Sequence, residues 1–298
     1  MFTLLTYTLV FINFLLNVRA NHYCHLSKSH TMCRYAENKI PDNCSEYQRI
    51  ELRMEDKSDI VDIHNNLRNF VASGGFINEL GFHFPEASAM NALKWNDELA
   101  EFAQRWVDQC LLDESRDKNR NMFEFSVDQM VINLEISTED NLPHFPEIFM
   151  SSWSKNFHHF SLNDIIDFNT SRDINKYVPL IWDITEYIGC AMITFKNPSV
   201  TNKDSAHILK TVCNYGPSGN LKTPPIYKIG QPCSLCDSKK CDETYQSLCI
   251  SNGNAQFPEG RNKVNDDVRR VMLEKYNMLQ NGDECYCVDK LTLTETEN

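Results

Sequence analysis

The fold is decided by residues 177–215, which read YVPLIWDITEYIGCAMITFKNPSVTNKDSAHILKTVCNY. Residues 187–195 and 208–215 are rich in β-branched and aromatic side chains, so they predict two strands. The polar loop between them predicts an antiparallel hairpin. Cys190 and Cys213 lie about equally far from the loop centre, and directly opposed strand residues approach closely enough for a disulfide. We therefore expect a central, buried strand pair that carries this bridge and is covered by helices.

The composition of the whole chain fits an extracellular protein. It has 298 residues, 12 cysteines and a formal net charge of −12. A high, even cysteine count is typical of a disulfide framework in an oxidising compartment. Acidic and basic residues are mixed and form no basic stripe, which argues against nucleic acid and against an anionic membrane surface as partners.

Residues 1–20 predict a cleaved signal peptide. Residues 2–16 are mostly apolar, and Val18 and Ala20 supply small side chains at the −3 and −1 positions of a cleavage site. The alternative is a membrane anchor, but a spanning helix needs about 20 apolar residues, and no second apolar run of that length follows. We expect a secreted, extracellular chain without integral membrane association.

Three segments before the hairpin have the apolar periodicity of helices. The first lies within residues 59–75, the second begins at Asn96, a good N-cap, and the third follows Pro143 and Pro146. Their inward residues are predicted to be Ile60, Ile63, Leu67, Phe70 and Val71, then Leu99, Ala103, Trp106, Val107 and Cys110, then Phe149, Trp153, Phe157 and Phe160. Helices followed by a hairpin predict an α+β fold, not repeated βαβ units.

Two polar stretches lack such periodicity. Residues 21–57 look loop-like and hold Cys24, Cys33 and Cys44. Residues 112–121, LDESRDKNRN, are highly charged, and we expect a solvated turn there.

The composition changes after the hairpin. The Gly- and Pro-rich residues 213–236 predict an extended strap. Four cysteines then crowd into a segment too short for its own core, which indicates a disulfide knot of Cys233, Cys236, Cys241 and Cys249. Zinc is the alternative, but a secreted chain favours disulfides. Residues 264–280 have an amphipathic pattern that predicts a helix docked on the molecule or on a partner, and the Thr/Glu tail predicts disorder.

Several motifs resemble one known family. They are Trp182-x-x-Thr-x-x-Ile-Gly-Cys190, CNYGPSGN at 213–220, MNALKWNDELAEFAQRWVDQC at 90–110, and His64-Asn65 with Arg68. The chain resembles the CAP superfamily of cysteine-rich secretory, antigen-five and pathogenesis-related proteins, most closely its insect antigen-five, venom-allergen-like branch. The resemblance covers about residues 22–249. It implies a three-layer α-β-α sandwich with a central antiparallel sheet, followed here by a C-terminal disulfide-rich extension and helix.

The resemblance also divides the chain into five parts. We expect a signal peptide at 1–20, a disulfide-linked N-terminal segment at 21–57, a CAP domain at 58–220, a cysteine-rich extension at 221–250, and a C-terminal helix with a disordered tail at 251–298. The family's cysteine pattern implies the bridges Cys24–Cys33, Cys44–Cys110 and Cys190–Cys213. We expect the six C-terminal cysteines to pair among themselves, with Cys285 and Cys287 each reaching back to the knot.

The resemblance further implies a central cavity lined by two histidines and two acidic residues, a set that suits zinc. The matching positions in this chain are Arg116, Gln129, Asn156 and Lys176. The Gly-x-Asn flanks usual around the first acidic position are absent. With no imidazole or carboxylate at the four positions, we expect a dismantled metal cavity and no cofactor. The alternative is that errors of local register hide ligands nearby, with Asp117, His158 or His159 as substitutes.

Other candidate residues give weaker signals. His158 and His159 are adjacent on a predicted helix and point about 100° apart, so they are not a chelating pair. His64 matches a family residue that forms structural hydrogen bonds. We find no Gly-x-Ser-x-Gly motif and no cysteine placed for activation by a histidine. Asn169 begins an N-glycosylation sequon, and so does Asn43, whose middle residue is a cysteine expected to be bridged.

Together these features predict a secreted, non-enzymatic protein that binds or signals outside the cell. Its partner would be an unknown extracellular protein or lipid. Insect relatives occur in venom, saliva and male accessory-gland fluid, and by analogy we expect a role in seminal fluid and reproduction. The alternatives are a carrier of sterols or fatty acids and a zinc-dependent hydrolase or venom-type effector.

Overall fold

The computed structural model describes residues 23–42, 44–77, 81, 83–113, 115–136, 142–157, 160–166, 176–196, 207–219, 225–237, 240–250, 279–281 and 284–286. The helices are α1 Thr31–Arg34, α2 Met54–Ala72, α3 Asp97–Val107, α4 Phe145–Phe157, α5 Leu162–Ile166 and α6 Val178–Ile181. The strands are β1 Ser45–Ile50, β2 Lys94–Trp95, β3 Asp128–Ile136, β4 Tyr187–Lys196, β5 His207–Gly216, β6 Leu279–Asn281 and β7 Glu284–Tyr286.

The fold combines helices and strands and is built around one main sheet. The strand order is β1-β4-β5-β3, all antiparallel neighbours, and β2 pairs in parallel with β4. The predicted hairpin strands β4 and β5 form the central pair, which confirms the expectation drawn from their apolar pattern. Cys190 lies directly opposite Cys213, and their Cα atoms are 4.1 Å apart.

Helices cover both faces of this sheet, because alternate strand residues point to opposite faces. On one face, Met130 and Tyr215 pack in the core cluster that includes α2 and α4. On the other face, Val131 and Val212 pack with Ala103 and Val107 of α3. Gly189 allows α3 to lie this close, since a Cβ there would be 2.2 Å from the Ala100 nitrogen. The three layers are those implied by the resemblance.

The sequence analysis missed two of the four long strands of the main sheet, as well as the short strands β2, β6 and β7. The stretch 21–57 was expected to be loop-like, but it contains β1, which forms an edge of the main sheet next to β4. That expectation is wrong because β1 is exposed along most of its length and therefore lacks an apolar alternation. The other missed strand is β3, which pairs with β5 over its whole length.

Five disulfide bridges are present among the described residues. The first three, Cys24–Cys33, Cys44–Cys110 and Cys190–Cys213, are the pairs implied by the resemblance. The knot closes on itself through Cys233–Cys241 and Cys236–Cys249. The expectation that Cys285 and Cys287 reach back to the knot is therefore wrong, because all four of its cysteines already have partners within about 5.5 Å between Cα atoms.

The C-terminal extension is anchored to α2. The hydroxyl of Tyr245 donates to Asp62 at 2.7 Å, and the backbone nitrogen of Ser247 donates to the side chain of Asn69 at 2.8 Å. Most of the helix predicted at 264–280 lies outside the described residues. Its last part is not helical, because Leu279 and Gln280 belong to β6 and pair with β7. In the described part of the chain, no helix has the length and apolar character needed to cross a membrane.

Candidate functional site

The four predicted cavity positions lie on different elements. Arg116 is in the connection between α3 and β3, and Gln129 is the second residue of β3. Asn156 is the penultimate residue of α4, and its side chain lies outside the described residues. Lys176 is half-buried in the turn before α6. The structure brings Arg116 and Gln129 to one end of β3, and it describes no contact that joins Asn156 to them.

The central group at this end is Asp128, the first residue of β3. Arg116 Nη1 lies 3.2 Å and Arg120 Nη2 lies 3.1 Å from the same carboxylate oxygen, Oδ1. The backbone nitrogen of Gln129 donates to that oxygen as well, at 2.8 Å. Three donors therefore converge on Oδ1 of Asp128. We call Arg116, Arg120 and Asp128 the arginine clamp.

The clamp is only partly open to water. The side chain of Arg116 is 35% exposed, whereas Arg120 is 12% and Asp128 is 9% exposed. Burial lowers the pKa of Arg120, while the Asp128 carboxylate opposes that shift. Arg120 Nε is buried and has no hydrogen-bond partner.

The charged connection at 112–121 is not the solvated turn that we expected. Asp117 is only 3% exposed. Its carboxylate accepts hydrogen bonds from the hydroxyl of Thr31 and from the backbone nitrogen of Asn119. Burial raises the pKa of Asp117, while the backbone donor of Asn119 and the nearby Arg120 oppose that rise. The expectation failed because a partner 86 positions away in the sequence compensates for the burial of this carboxylate.

Gln129 is a buried structural residue on the α3 side of the sheet. Its Oε1 accepts from the backbone nitrogen of Asp117 at 2.7 Å, and its Nε2 donates to Asn214 at 2.8 Å. Asn214 in turn donates to the carbonyl of Leu99 in α3 at 2.9 Å. Both polar ends of the Gln129 amide are therefore engaged in fixing the connection, the sheet and α3 to one another.

His64 is engaged at both ring nitrogens. Nδ1 lies 2.7 Å from the carbonyl of Ile60, and Nε2 lies 3.0 Å from the hydroxyl of Tyr215. Burial lowers the pKa of His64 to about 3, so the ring is neutral at physiological pH. In that state Nδ1–H donates to Ile60, and Nε2 accepts from Tyr215. The contacts of His64 are those of a packing residue.

These donors do not fit a zinc ion, which needs neutral imidazole, thiolate or carboxylate ligands. The one free ring lone pair of His64, on Nε2, already accepts from Tyr215, and two guanidinium groups crowd the Asp128 carboxylate. Among the described residues, no group of three or more His, Cys, Asp or Glu is placed to hold a metal. His158, His159 and Asn169 lie outside the described residues.

The sequence analysis missed Asp128 and Arg120. The signal for Asp128 was available, because an aspartate replaces the usual glycine that precedes the first acidic position. Arg120 had no comparable signal. Its contact with Asp128 depends on how the connection between α3 and β3 folds back along the sheet.

Comparisons with known proteins agree with this architecture. The family model "Cysteine-rich secretory protein family" matches residues 61–215. Venom allergen 3 of Solenopsis invicta is 34% identical over 72% of this chain and 92% of its own length. Venom allergen 5 of Polistes dominula is 34% identical over 70% of this chain and 90% of its length. The chain spans only 55% of venom allergen 5 of Tityus serrulatus, at 30% identity.

Solved structures show the same fold. BmVAL-1 superposes with a TM-score of 0.55 and 27% identity, over 72% of this chain and 100% of that one. NaASP2, solved with Zn²⁺, has a TM-score of 0.51 at 23% identity, over 71% of this chain and 100% of that one, and this likeness concerns the fold alone.

A sheet covered by helices on both faces, with cross-linked cysteines and a C-terminal knot, defines a disulfide-bonded α-β-α sandwich protein. The family match and the similarity to venom allergens narrow that class further. The chain belongs to the CAP family, among its venom-allergen-like members.

Proposed function

We propose that this protein is a secreted, non-enzymatic CAP protein that acts by binding or signalling outside the cell. The observation that carries the proposal is the arginine clamp. A carboxylate that could serve a metal or act in hydrolysis is paired with two guanidinium groups, and guanidinium remains charged at any physiological pH. The reactive part of the family's cavity is thus replaced by an ion-pair cluster.

Charge repulsion supports the absence of a metal function. A divalent cation beside Asp128 would lie close to both Arg116 and Arg120, at distances where like charges repel strongly in a partly buried setting. Gln129 offers only an amide, which already has two partners. Arg116, Gln129, Asn156 and Lys176 are therefore proposed as degenerate cavity positions without catalytic or metal-binding roles.

Secretion is supported by three features. A signal peptide is predicted at 1–20, ten cysteines are paired in five bridges, and such bridges persist in oxidising compartments. The chain is also similar to proteins known as venom allergens. Mass spectrometry of the protein recovered from culture medium tests this part, because a mature chain that begins near residue 21 is expected.

The test of the central proposal is a zinc titration by calorimetry. Metal-stripped protein at neutral pH is expected to give only heat of dilution. NaASP2, whose structure contains Zn²⁺, is the positive control under the same conditions. Stoichiometric, micromolar zinc binding that disappears when Asp128 is replaced by Asn would overturn the proposal and would favour the zinc-dependent hydrolase.

An apolar pocket favours a second candidate function, the transport of a lipid or sterol. The pocket has a volume of about 220 Å³ and lies between the sheet and the start of α4. Its lining residues are Ile50, Leu142, Pro143, His144, Phe145, Ile148, Met192 and Leu209. Apolar walls with few polar groups are typical of sites for small apolar ligands.

Mass spectrometry of organic extracts from the purified, secreted protein separates the two candidates. A carrier is expected to retain a lipid at near-stoichiometric amounts, and the change Ile50→Trp, which fills the pocket, is expected to remove it. Ile184→Trp is the matched control, because Ile184 is 43% exposed and lies outside the pocket lining. If the purified wild-type protein contains no lipid, the carrier function is excluded and the binding or signalling function remains the proposal.

The tissue-level part of the proposal is a role in seminal fluid and reproduction. Its support is analogy with relatives found in male accessory-gland fluid. Quantitative proteomics of seminal fluid, venom and saliva from the source animal tests it, and enrichment in seminal fluid is expected. Enrichment in venom or saliva instead would replace this part of the proposal with a venom-type effector role.

A further inference from the structure

The arginine clamp has more hydrogen-bond donors than acceptors. Each guanidinium carries five N–H groups. In the described structure Arg116 and Arg120 each make one hydrogen bond, and both bonds end on Oδ1 of Asp128. Arg120 Nε is buried without a partner. Buried, unpaired donors are costly, because they lose water without gaining an acceptor.

The clamp also has an excess of positive charge. Two guanidinium groups face the single carboxylate of Asp128, which leaves one uncompensated positive charge. The carboxylate of Asp117 also lies near Arg120, and Arg34 in turn lies near Asp117, so the wider cluster holds three guanidinium groups and two carboxylates. The exposed third of Arg116 makes this charge accessible from solution.

From these contacts we infer that the arginine clamp is an anion-binding site that takes a tetrahedral oxyanion, such as a phosphate or sulfate group. The inference rests on the proposed function in one respect, that no metal ion occupies this end of β3. The oxyanion accepts hydrogen bonds from the free N–H groups of Arg116 and Arg120 and neutralises their excess charge. Asp128 competes with it for the same two guanidinium groups.

The chemistry of guanidinium favours this class of ligand. Its planar set of donors matches two oxygens of a phosphate or sulfate group at once, and such charge-assisted bonds are stronger than neutral ones. Each hydrogen bond to the ligand contributes more binding free energy here than in water, because the setting is partly buried and one donor is unpaired. The whole chain carries a net charge of −12, so long-range attraction does not contribute, and recognition depends on these short contacts.

The experiment titrates the full secreted chain with inorganic phosphate at pH 7.5 and constant ionic strength, followed by calorimetry or by ³¹P NMR. Saturable binding at one site is expected for phosphate and for sulfate, with no saturation by chloride. Methyl phosphate and methyl sulfate form a second arm. Tighter binding of the monoesters indicates a group carried on a larger molecule, and tighter binding of the free ions indicates a free anion.

Three substitutions locate the site. Arg116→Gln removes the more exposed guanidinium and is expected to weaken phosphate binding about tenfold. Arg49→Gln is the matched control, since Arg49 is 40% exposed and also pairs with a carboxylate, that of Glu51, but lies on β1. Asp128→Asn removes the competing carboxylate and is expected to tighten binding several-fold, an effect opposite to that of simple damage to the fold.

The inference is overturned if phosphate does not saturate, if Arg49→Gln weakens binding as much as Arg116→Gln, or if Asp128→Asn folds normally and binds phosphate no better than wild type. Circular dichroism establishes whether each variant is folded, and Arg116→Gln alone decides the matter if Asp128→Asn does not fold. Zinc and phosphate are titrated separately. A failure of phosphate binding therefore leaves the non-enzymatic proposal intact, and zinc binding contradicts that proposal whatever phosphate does.

Discussion

Two buried arginines in this molecule are satisfied to very different degrees. Arg68, on α2, is fully buried and donates to the carbonyls of Asn91, Leu180, Trp182 and Thr185 at 2.9 to 3.4 Å. Arg120, near β3, is almost as buried, but it makes one bond to Asp128 and leaves its Nε without an acceptor.

The difference separates a structural charge from a candidate binding group. Four carbonyl oxygens around Arg68 use nearly all its donors, so the side chain joins α2 to three other segments and has little left to offer a ligand. The arginine clamp has spare donors and spare charge at a place reached by solvent. Buried polar groups that lack partners are the places where a binding role is expected.

The largest effect is expected for Arg68→Met. It leaves four carbonyl groups without their donor in the core and should lower the free energy of unfolding by about 4 kcal/mol or more. Urea denaturation followed by fluorescence measures this, with the exposed Arg49→Met as control. A loss below about 1 kcal/mol would show that Arg68 is not the structural charge we describe.

Acid should destabilise the protein through His64. Its pKa in the folded state is about 3, below the usual value of 6.5, because burial disfavours the charged ring. The unfolded chain therefore binds a proton first as pH falls. This contribution to stability is complete above pH 6.5 and decreases towards pH 3, by up to about 1.4 kcal/mol per pH unit.

Urea denaturation at several values of pH from 7 to 4 measures this dependence. His64→Gln is expected to have a shallower slope than wild type by about one proton, whatever its stability at pH 7. Equal slopes would mean that His64 is protonated in the folded protein and would contradict the hydrogen-bond assignment with Tyr215.

A smaller effect is expected for Arg120→Met, about 1 to 2 kcal/mol of stability. Asp128 keeps its bonds from Arg116 and from the backbone of Gln129, so its carboxylate is not left alone. Thermal unfolding at low and high salt checks this value. If Arg120→Met lowers the free energy of unfolding as much as Arg68→Met does, the contrast between the two arginines is not valid.

The smallest effect is expected for Arg116→Gln, below about 0.5 kcal/mol, because a partly exposed ion pair contributes little to stability. Thermal unfolding in buffer without phosphate measures it. A large loss of stability would assign Arg116 to the structural framework and would remove the reason for treating it as a binding residue.

The central hairpin was predictable because its information is local. The alternation of β4 and β5 and the positions of Cys190 and Cys213 relative to the loop are all contained in a single stretch of sequence. The N-cap at Asn96 was local as well, and its side chain accepts from the Leu99 nitrogen at 2.9 Å. The edge strand β1 gave no such pattern, because most of its side chains face water.

The arginine clamp was only partly within the reach of sequence reasoning, which singled out Arg116 but not its two partners. Residues 112–121 contain charged side chains that normally indicate a solvated turn, and only partners distant in the sequence explain why some of these side chains are buried. Asp117 depends on Thr31, and Arg120 depends on Asp128 at the start of a strand that was itself missed. The four positions implied by the resemblance included Arg116 of the clamp but neither Arg120 nor Asp128.

The central claim is that this end of β3 favours an anion over a metal cation. The most direct measurement compares the unfolding temperature of metal-stripped protein in zinc chloride, in sodium phosphate and in sodium chloride at matched ionic strength. We predict that phosphate raises the unfolding temperature in wild type and not in Arg116→Gln, and that zinc does not raise it in either. A rise with zinc that is lost in Asp128→Asn, together with no rise in phosphate, would contradict the account.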